Sequence, residues 1–341
     1  MKTRLNPVLS LMGVLLITIL LLAGCSAKEE QSTEQPGGSA SPNGELKKVR
    51  IGNFGTTCEA PLFAAYENGY FKEEGLDAEL IKGDPNALKD MLATNKIDAT
   101  DGVLMQWIKP AEQGLDIKFT AGIHNGCLQV LVPPNSSITT VKDFQGKTIG
   151  VPAIGGGPMN MVSRMLADNG LDLKEDVTWK AYPAPELEQA LTKGEVDIVA
   201  LPDPNAQMFI DNGNARSFLN MATDDPFKDE YCCLVVVTGK LVREDPDTAA
   251  AITRAILKGA EWVAANPQEA AKLEAEKGYV PGNTEVNAKT LAHYNYRPSV
   301  DEGEKALYTV TKGMQDIGIL NPTTDTEELA RNLFVRLEGV K

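Results

Sequence analysis

A helix-turn-strand unit that occurs twice constrains the fold more than any other feature of this sequence. The segments LKDMLATNKIDA (88–99) and LEQALTKGEVDI (187–198) align without a gap. Each has leucines four residues apart on one helical face, a turn at Asn or Gly, and a strand that begins with Ile-Asp or Val-Asp. One copy in each half of the chain predicts two similar α/β lobes, and generic α/β packing is the weaker alternative.

Apolar strand-like runs alternate with amphipathic segments around both copies. KVRIGNF precedes PLFAAYENGYF, LDAELIK precedes ALKDMLATN, KTIGV precedes PMNMVSRMLADNG, and EVDIVAL precedes PNAQMFIDNG. Gly69, Gly170, Gly194 and Gly213 lie where left-handed helix ends are expected. This order is typical of α/β proteins with parallel strands.

Four loops follow predicted strands and are expected to meet in one cleft, at residues 55–61, 100–104, 152–160 and 201–205. In open α/β sheets, ligands bind beyond the carboxyl ends of the strands. Asp101 and Asp203 would lie on opposite walls, and two carboxylates there favour a cationic or hydrogen-bond-donating solute. Capping of the following helix is the alternative for either aspartate.

The N-terminus predicts an exported lipoprotein. Lys2 and Arg4 precede an apolar run, and the run ends in LAGC (22–25), which resembles a bacterial lipobox. We expect a signal peptide at 1–24, lipidation of Cys25 and a flexible Ser-, Gly- and Pro-rich tether at 25–46. A membrane-spanning helix is the alternative. The expected location is the extracytoplasmic face of the cell membrane.

The composition of the chain argues against several classes of binding partner and of enzyme. The formal net charge is −14, which argues against nucleic acid and against membrane attachment through basic patches. The glycine loop AIGGGPMN lacks the Lys-Ser/Thr of a phosphate-binding loop, and the chain has only two histidines. Neither a G-x-S-x-G elbow nor an H-E-x-x-H helix accompanies them. We therefore expect a monomeric binding protein that is not an enzyme.

Four cysteines remain once Cys25 is assigned to lipidation. Structural disulfides, buried free thiols and a soft-ligand site are the alternatives that the sequence leaves open. Adjacent residues of a strand point to opposite faces, so Cys232 and Cys233 share a face only if the strand is broken there. No resident cofactor is expected unless the third alternative holds, with a thiophilic metal, metal complex or sulfur-containing solute bound by Cys58, His124, Cys127, Cys232 and Cys233.

The segments APLFAAYENGYFKEEGLDAELIKG, DMLATNKIDAT, VKDFQGKTIGVP and AILKGAEWVAANPQEAAKL together resemble a known family. It comprises the solute-binding proteins of ABC importers for nitrate, sulfonates, taurine and thiamine pyrimidine precursors. The resemblance implies a type II periplasmic-binding fold that closes on a small solute and hands it to a permease. It places lobe 1 at 47–131 plus 236–341 and lobe 2 at 132–235, with hinges near VLVPPN and VVVTG.

The resemblance also indicates ligand contacts. A glycine loop before a helix, here residues 155–157 followed by Pro158, would bind the anionic end of a ligand through backbone N–H groups. None of the four loops contains Arg or Lys, which argues against a sulfonate or taurine. Related eukaryotic pyrimidine synthases, which use a histidine and clustered cysteines, give the enzymatic alternative. The expected ligand-binding residues are Thr57, Cys58, Asp101, Gly102, Cys127, Gly155, Gly156, Gly157, Asp203 and Cys232.

Overall fold

The computed structural model describes residues 45–341. The expected signal peptide, Cys25 and the tether up to residue 44 therefore lie outside the described residues. Eleven strands are present in this part of the chain. They are β1 (Lys47–Asn53), β2 (Leu76–Lys82), β3 (Ala99–Val103), β4 (Ile117–Asn125), β5 (Leu128–Val132), β6 (Lys147–Val151), β7 (Val177–Ala181), β8 (Ile198–Pro202), β9 (Arg216–Asn220), β10 (Tyr231–Thr238) and β11 (Asn295–Ser299).

Thirteen α-helices separate these strands in the described part of the chain. They are α1 (Ala60–Glu67), α2 (Tyr70–Glu73), α3 (Pro85–Ala93), α4 (Met105–Glu112), α5 (Gly157–Asp168), α6 (Leu187–Thr192), α7 (Asn205–Asp211), α8 (Gly239–Glu244), α9 (Pro246–Ala265), α10 (Pro267–Lys277), α11 (Thr284–Leu291), α12 (Val300–Asp316) and α13 (Thr326–Leu333). None of the helices within 45–341 is both long and apolar enough to span a bilayer.

The strands form two sheets. The first has the order β11-β4-β10-β3-β1-β2, and the second has the order β7-β6-β8-β5-β9. Strand β1 pairs in parallel with β2 and β3, and β6 pairs in parallel with β7 and β8. Each sheet thus contains the same parallel β-α-β-α-β arrangement, which is what the duplicated sequence unit predicts.

The repeated Ile-Asp and Val-Asp pairs have the same structural role in both sheets. Asp98 accepts a hydrogen bond from the backbone N–H of Arg50 at 2.8 Å, and Asp197 accepts one from the backbone N–H of Thr148 at 2.8 Å. In the reverse direction, the backbone N–H groups of Asp98 and Asp197 donate to the same two residues. Each aspartate therefore fixes the start of the third parallel strand against the first.

The chain passes between the sheets at residues 126–127 and again at 221–230. Both β5 and β10 lie wholly in one sheet, β5 in the second and β10 in the first. The expected lobe boundaries at 131/132 and 235/236 fall inside these strands, so for the proposed two-lobe division we place the boundaries at the two crossings. Gly126 has φ +70°, and a Cβ there would lie 2.4 Å from Cα of Ala222. The two crossings are therefore in contact, and only glycine fits at this point.

Candidate functional site

A cavity of about 570 Å³ is lined by loops from both sheets. The four loops expected to converge all contribute to it, for example through Thr56, Val103, Ala153 and Asn205. Seven prolines line the cavity, and the two charged residues among those lining it are Lys82 and Asp84. A volume of this size, with mostly apolar walls and a few polar groups, is typical of small-molecule sites.

Of the ten expected ligand-binding residues, four line the cavity: Cys58, Gly102, Gly156 and Gly157. The other six are not among its lining residues: Thr57, Asp101, Cys127, Gly155, Asp203 and Cys232. Asp101 is 1% exposed and lies behind Gly102 and Val103, the two residues of β3 that do line the cavity.

Two further loops line the cavity that the sequence argument did not include. Residues 82–85 begin at the last residue of β2 and residues 183–185 follow β7, so they occupy equivalent places in the two sheets. Applying the strand-end rule to LDAELIK and to Val177–Ala181 would have found both. Lys82 is in the first of them, so the cavity has a cationic group although the four predicted loops have none. A third segment that lines the cavity, residues 278–281, follows helix α10 rather than a strand, so the strand-end rule would not have found it.

The glycine loop lies where the two sides of the cavity meet. Helix α5 begins at Gly157, with Gly156 as its N-cap and Pro158 in its first turn. A Cβ on Gly157 would lie 2.5 Å from Cγ1 of Val103, which belongs to the other sheet. Nearby, the side chain of Asn160 donates to the carbonyl of Met105 at 2.9 Å. This close approach requires glycine at position 157.

Asp203 is a buried structural carboxylate that is 2% exposed. It accepts hydrogen bonds from Gln129 Nε2 at 2.9 Å, Tyr294 Oη at 3.0 Å and the backbone N–H of Gln207 at 3.2 Å. The bond from Gln207 caps α7, so the capping alternative applies to Asp203. Burial raises the pKa of Asp203 to about 6, although its hydrogen bonds favour the ionised form.

Two further buried carboxyl groups, those of Asp101 and Glu274, lie near the cysteines. Asp101 and Glu274 are buried, and neither carboxylate has a hydrogen-bond partner within residues 45–341. Burial, together with the charge of Glu59, raises the pKa of Asp101 well above its usual value. Burial and the neighbouring Cys58 and Glu59 likewise raise the pKa of Glu274. Both carboxyl groups therefore keep their protons to a higher pH than exposed carboxyl groups do.

The four cysteines within 45–341 are all buried free thiols. The structure therefore contains no disulfide between the described cysteines. The Sγ atoms of Cys127 and Cys233 are 3.8 Å apart. Two sets of ligand atoms each lie within 4.8 Å of one another, namely Cys58 with His124 and Cys233, and Cys127 with Cys232 and Cys233. All five residues that the sequence nominated for a soft-ligand site are thus brought together, and Cys233 belongs to both sets.

Irregular pairing of β10 explains how the adjacent cysteines meet. The register between β10 and β4 shifts on both sides of Cys233. A regular strand would send the side chains of Cys232 and Cys233 to opposite faces, and the bulge relaxes that constraint. The break in the strand that would let Cys232 and Cys233 share a face is therefore present.

The chain is similar in sequence to a family of known proteins. Residues 56–270 match the profile of a family described as NMT1/THI5 like. The chain is 27% identical to the formylaminopyrimidine-binding protein of Halalkalibacterium halodurans, over 75% of each chain. It is 23% identical to the riboflavin-binding protein RibY of Chloroflexus aurantiacus, over 95% of this chain and 96% of the relative.

A solved structure confirms the fold. The alkanesulfonate-binding protein SsuA of Xanthomonas axonopodis pv. citri, bound to MOPS, superposes with a TM-score of 0.72 at 19% identity. The match covers 86% of this chain and 99% of that chain. The predicted periplasmic-binding fold, with two α/β sheets, is therefore correct.

Proposed function

Because the chain belongs to the NMT1/THI5-like family, we propose that it is the solute-binding component of an ABC-type importer. It captures a small solute in the cavity and presents it to the permease subunits as a monomer. The observation that carries this proposal is the 570 Å³ cavity with walls from both sheets. Movement of the two sides about the crossings at 126–127 and 221–230 would open and close it.

The cavity favours a flat, largely apolar solute with a few hydrogen-bonding groups. Phe54 and the prolines offer apolar surface, while Gln106, Asn205 and Thr56 offer amide and hydroxyl groups. The carboxylate of Asp84 already accepts hydrogen bonds from the backbone N–H groups of Asn86 and Ala87, so it is engaged at the start of α3. An uncharged nitrogen heterocycle matches this set better than a sulfonate or nitrate. The names of the formylaminopyrimidine-binding and riboflavin-binding relatives support the same class.

The remaining sequence expectations stay part of this proposal. Cys25 carries the lipid, and the protein is held by it at the extracytoplasmic face of the membrane. We expect no turnover of the solute by the protein alone. The synthase-like alternative has support in the yeast pyrimidine phosphate synthase THI5, which is 22% identical over 77% of this chain.

Solute binding is tested by thermal-shift screening and calorimetry with pyrimidines, flavins, sulfonates and nitrate. Gly157→Ala places a Cβ against Val103 and should weaken binding of the best ligand by at least about tenfold, or 1.4 kcal/mol. Gly313→Ala is the matched control, since a Cβ there has only a contact at 4.0 Å with Arg164. Chemical conversion of the ligand by the purified protein would contradict the binding-protein proposal.

Charge preference is tested separately with Lys82→Ala. For an uncharged heterocycle, affinity should change less than about threefold, whereas Asn205→Ala should remove a hydrogen bond and cost about tenfold. Lys96→Ala, at an exposed position that does not line the cavity, is the control. Tight binding of nitrate or a sulfonate that depends on Lys82 would refute the heterocycle assignment.

A further inference from the structure

We propose that Cys58, Cys127, Cys233 and His124 form a binding site for a thiophilic transition-metal cation beside the cavity. This site goes beyond solute capture, because it uses buried donor atoms rather than the cavity's lining groups, with Cys58 shared between the two. Three sulfur donors and one imidazole are a donor set that Zn²⁺ and similar cations prefer.

The spacing of the donor atoms fits a tetrahedral ion. Zn–S bonds of about 2.3 Å at tetrahedral angles place neighbouring sulfur atoms about 3.8 Å apart. The Sγ atoms of Cys127 and Cys233 are separated by 3.8 Å. The ligand atoms of Cys58, His124 and Cys233 all lie within 4.8 Å of one another, and Cys127 lies beside this set through its contact with Cys233. A small shift of side chains would bring all four to one ion.

The histidine is arranged as metal-binding histidines are. His124 is fully buried, and its Nδ1 lies 3.2 Å from the carbonyl oxygen of Asn125. A proton on Nδ1 would be donated to that carbonyl, which leaves a lone pair on Nε2. Nε2 has no hydrogen-bond partner within the described residues. Stacking against Tyr294, with ring centroids 5.3 Å apart, holds the imidazole in place.

Buried polar groups that lack partners within residues 45–341 also surround the thiols. Asp101 and Glu274 are buried near the thiols without partners in the described part of the chain. A bound cation would favour the ionised form of these carboxyl groups and of the thiols that ligate it. Cys58 lines the cavity, so an ion can reach the site from solvent through it.

The full-length protein, purified without oxygen, is titrated with Zn²⁺ and with Co²⁺ as a spectroscopic probe. We expect one ion per chain, thiolate-to-cobalt charge-transfer absorption and the intense visible bands of tetrahedral Co²⁺. In mass spectrometry after alkylation, Zn²⁺ should protect Cys58, Cys127 and Cys233. This measurement needs no variant, so a folding failure cannot obscure it.

Variants then separate the two overlapping sets of donors. Cys58→Ser and His124→Gln should each weaken Co²⁺ binding by at least about tenfold, while Cys232→Ser should retain it. Circular dichroism and urea unfolding check that each variant is folded. Loss of Co²⁺ in Cys232→Ser alone would overturn the proposed set in favour of a sulfur-only site.

Failure to bind either ion, with all four thiols alkylated equally whether or not Zn²⁺ is present, would overturn the proposal altogether. That outcome is distinct from failure of solute capture, which is measured on the metal-free parent protein. Calorimetry with the same ligand after chelation keeps the two results separate.

Discussion

The stability of the Asp203→Asn variant relative to the parent should rise as the pH increases from acid to neutral. Asp203 is buried, and burial raises its pKa from the usual 3.8 to about 6. The folded protein therefore holds the proton of Asp203 more tightly than the unfolded chain does. Stability that is fully present below about pH 4 is lost as the pH rises through about 6.

The size of this loss follows from the shift. A change of about two pKa units corresponds to about 3 kcal/mol of unfolding free energy, because one unit corresponds to about 1.4 kcal/mol. Asparagine does not ionise, so the stability difference between Asp203→Asn and the parent should grow by about 2.4 kcal/mol between pH 4 and pH 7, because the unfolded aspartate is already partly ionised at pH 4. A constant offset is expected in addition, because Tyr294 would have to accept rather than donate a hydrogen bond.

Urea unfolding of both proteins at a series of pH values from 4 to 8 measures this difference. The offset shifts one curve against the other, whereas the titration changes their separation with pH. Asp90→Asn, at an exposed position, is the control for removal of a surface charge. Parallel curves for Asp203→Asn and the parent across this range would refute the assignment of a raised pKa to Asp203.

Three further outcomes are expected. Gly126→Ala should lower the free energy of unfolding by at least about 3 kcal/mol, since it adds a contact with Ala222 at 2.4 Å to the strain of a positive φ. Gly170→Ala, at a glycine with a similar φ but open space around it, should lower it by about 1 kcal/mol. Chemical denaturation measures both. Arg164→Ala breaks a bidentate ion pair of 2.6 and 2.8 Å between α5 and the second crossing and should lower stability by about 2 kcal/mol in the same assay. Cys25→Ser should abolish incorporation of labelled palmitate and release the protein from membranes, and retention of the label would contradict lipidation at this residue.

The sequence predicted the architecture well because periodicity reports local structure directly. KTIGV (147–151) and LDAELIK (76–82) are strands with the predicted bounds, and the duplicated unit marks the same helix and strand in each sheet. The parallel pairing then brings the strand-end loops to one cavity, as the topology requires. These features depend on the local pattern of short segments and on the rule that the loops after parallel strands meet at one edge of the sheet.

Individual site residues were harder to predict, since a shift of one position in a strand reverses the face of its side chain. Asp101 and Gly102 are neighbours, yet only the glycine lines the cavity. Asp203 follows its strand by one residue, and its carboxylate turns inward to Gln129 and Tyr294. Tyr294 is distant from Asp203 in sequence, so the residues around Asp203 could not predict this hydrogen bond.

The two adjacent cysteines of β10 link the pairing of this strand to the proposed metal site. Strand β10 lies between β3 and β4 and is entirely buried, so a regular ladder would satisfy its backbone groups best. The register nevertheless shifts on both sides of Cys233, which disturbs regular pairing at the one cysteine that both sets of ligand atoms share. Thiols are weak hydrogen-bond donors and acceptors, and their mutual contacts do not compensate for a disturbed ladder. Binding of a cation at Cys233 would supply free energy to the folded state alone. We infer that the bulge is a feature of the binding site rather than an accident of packing, in keeping with the frequent position of bulges beside functional sites.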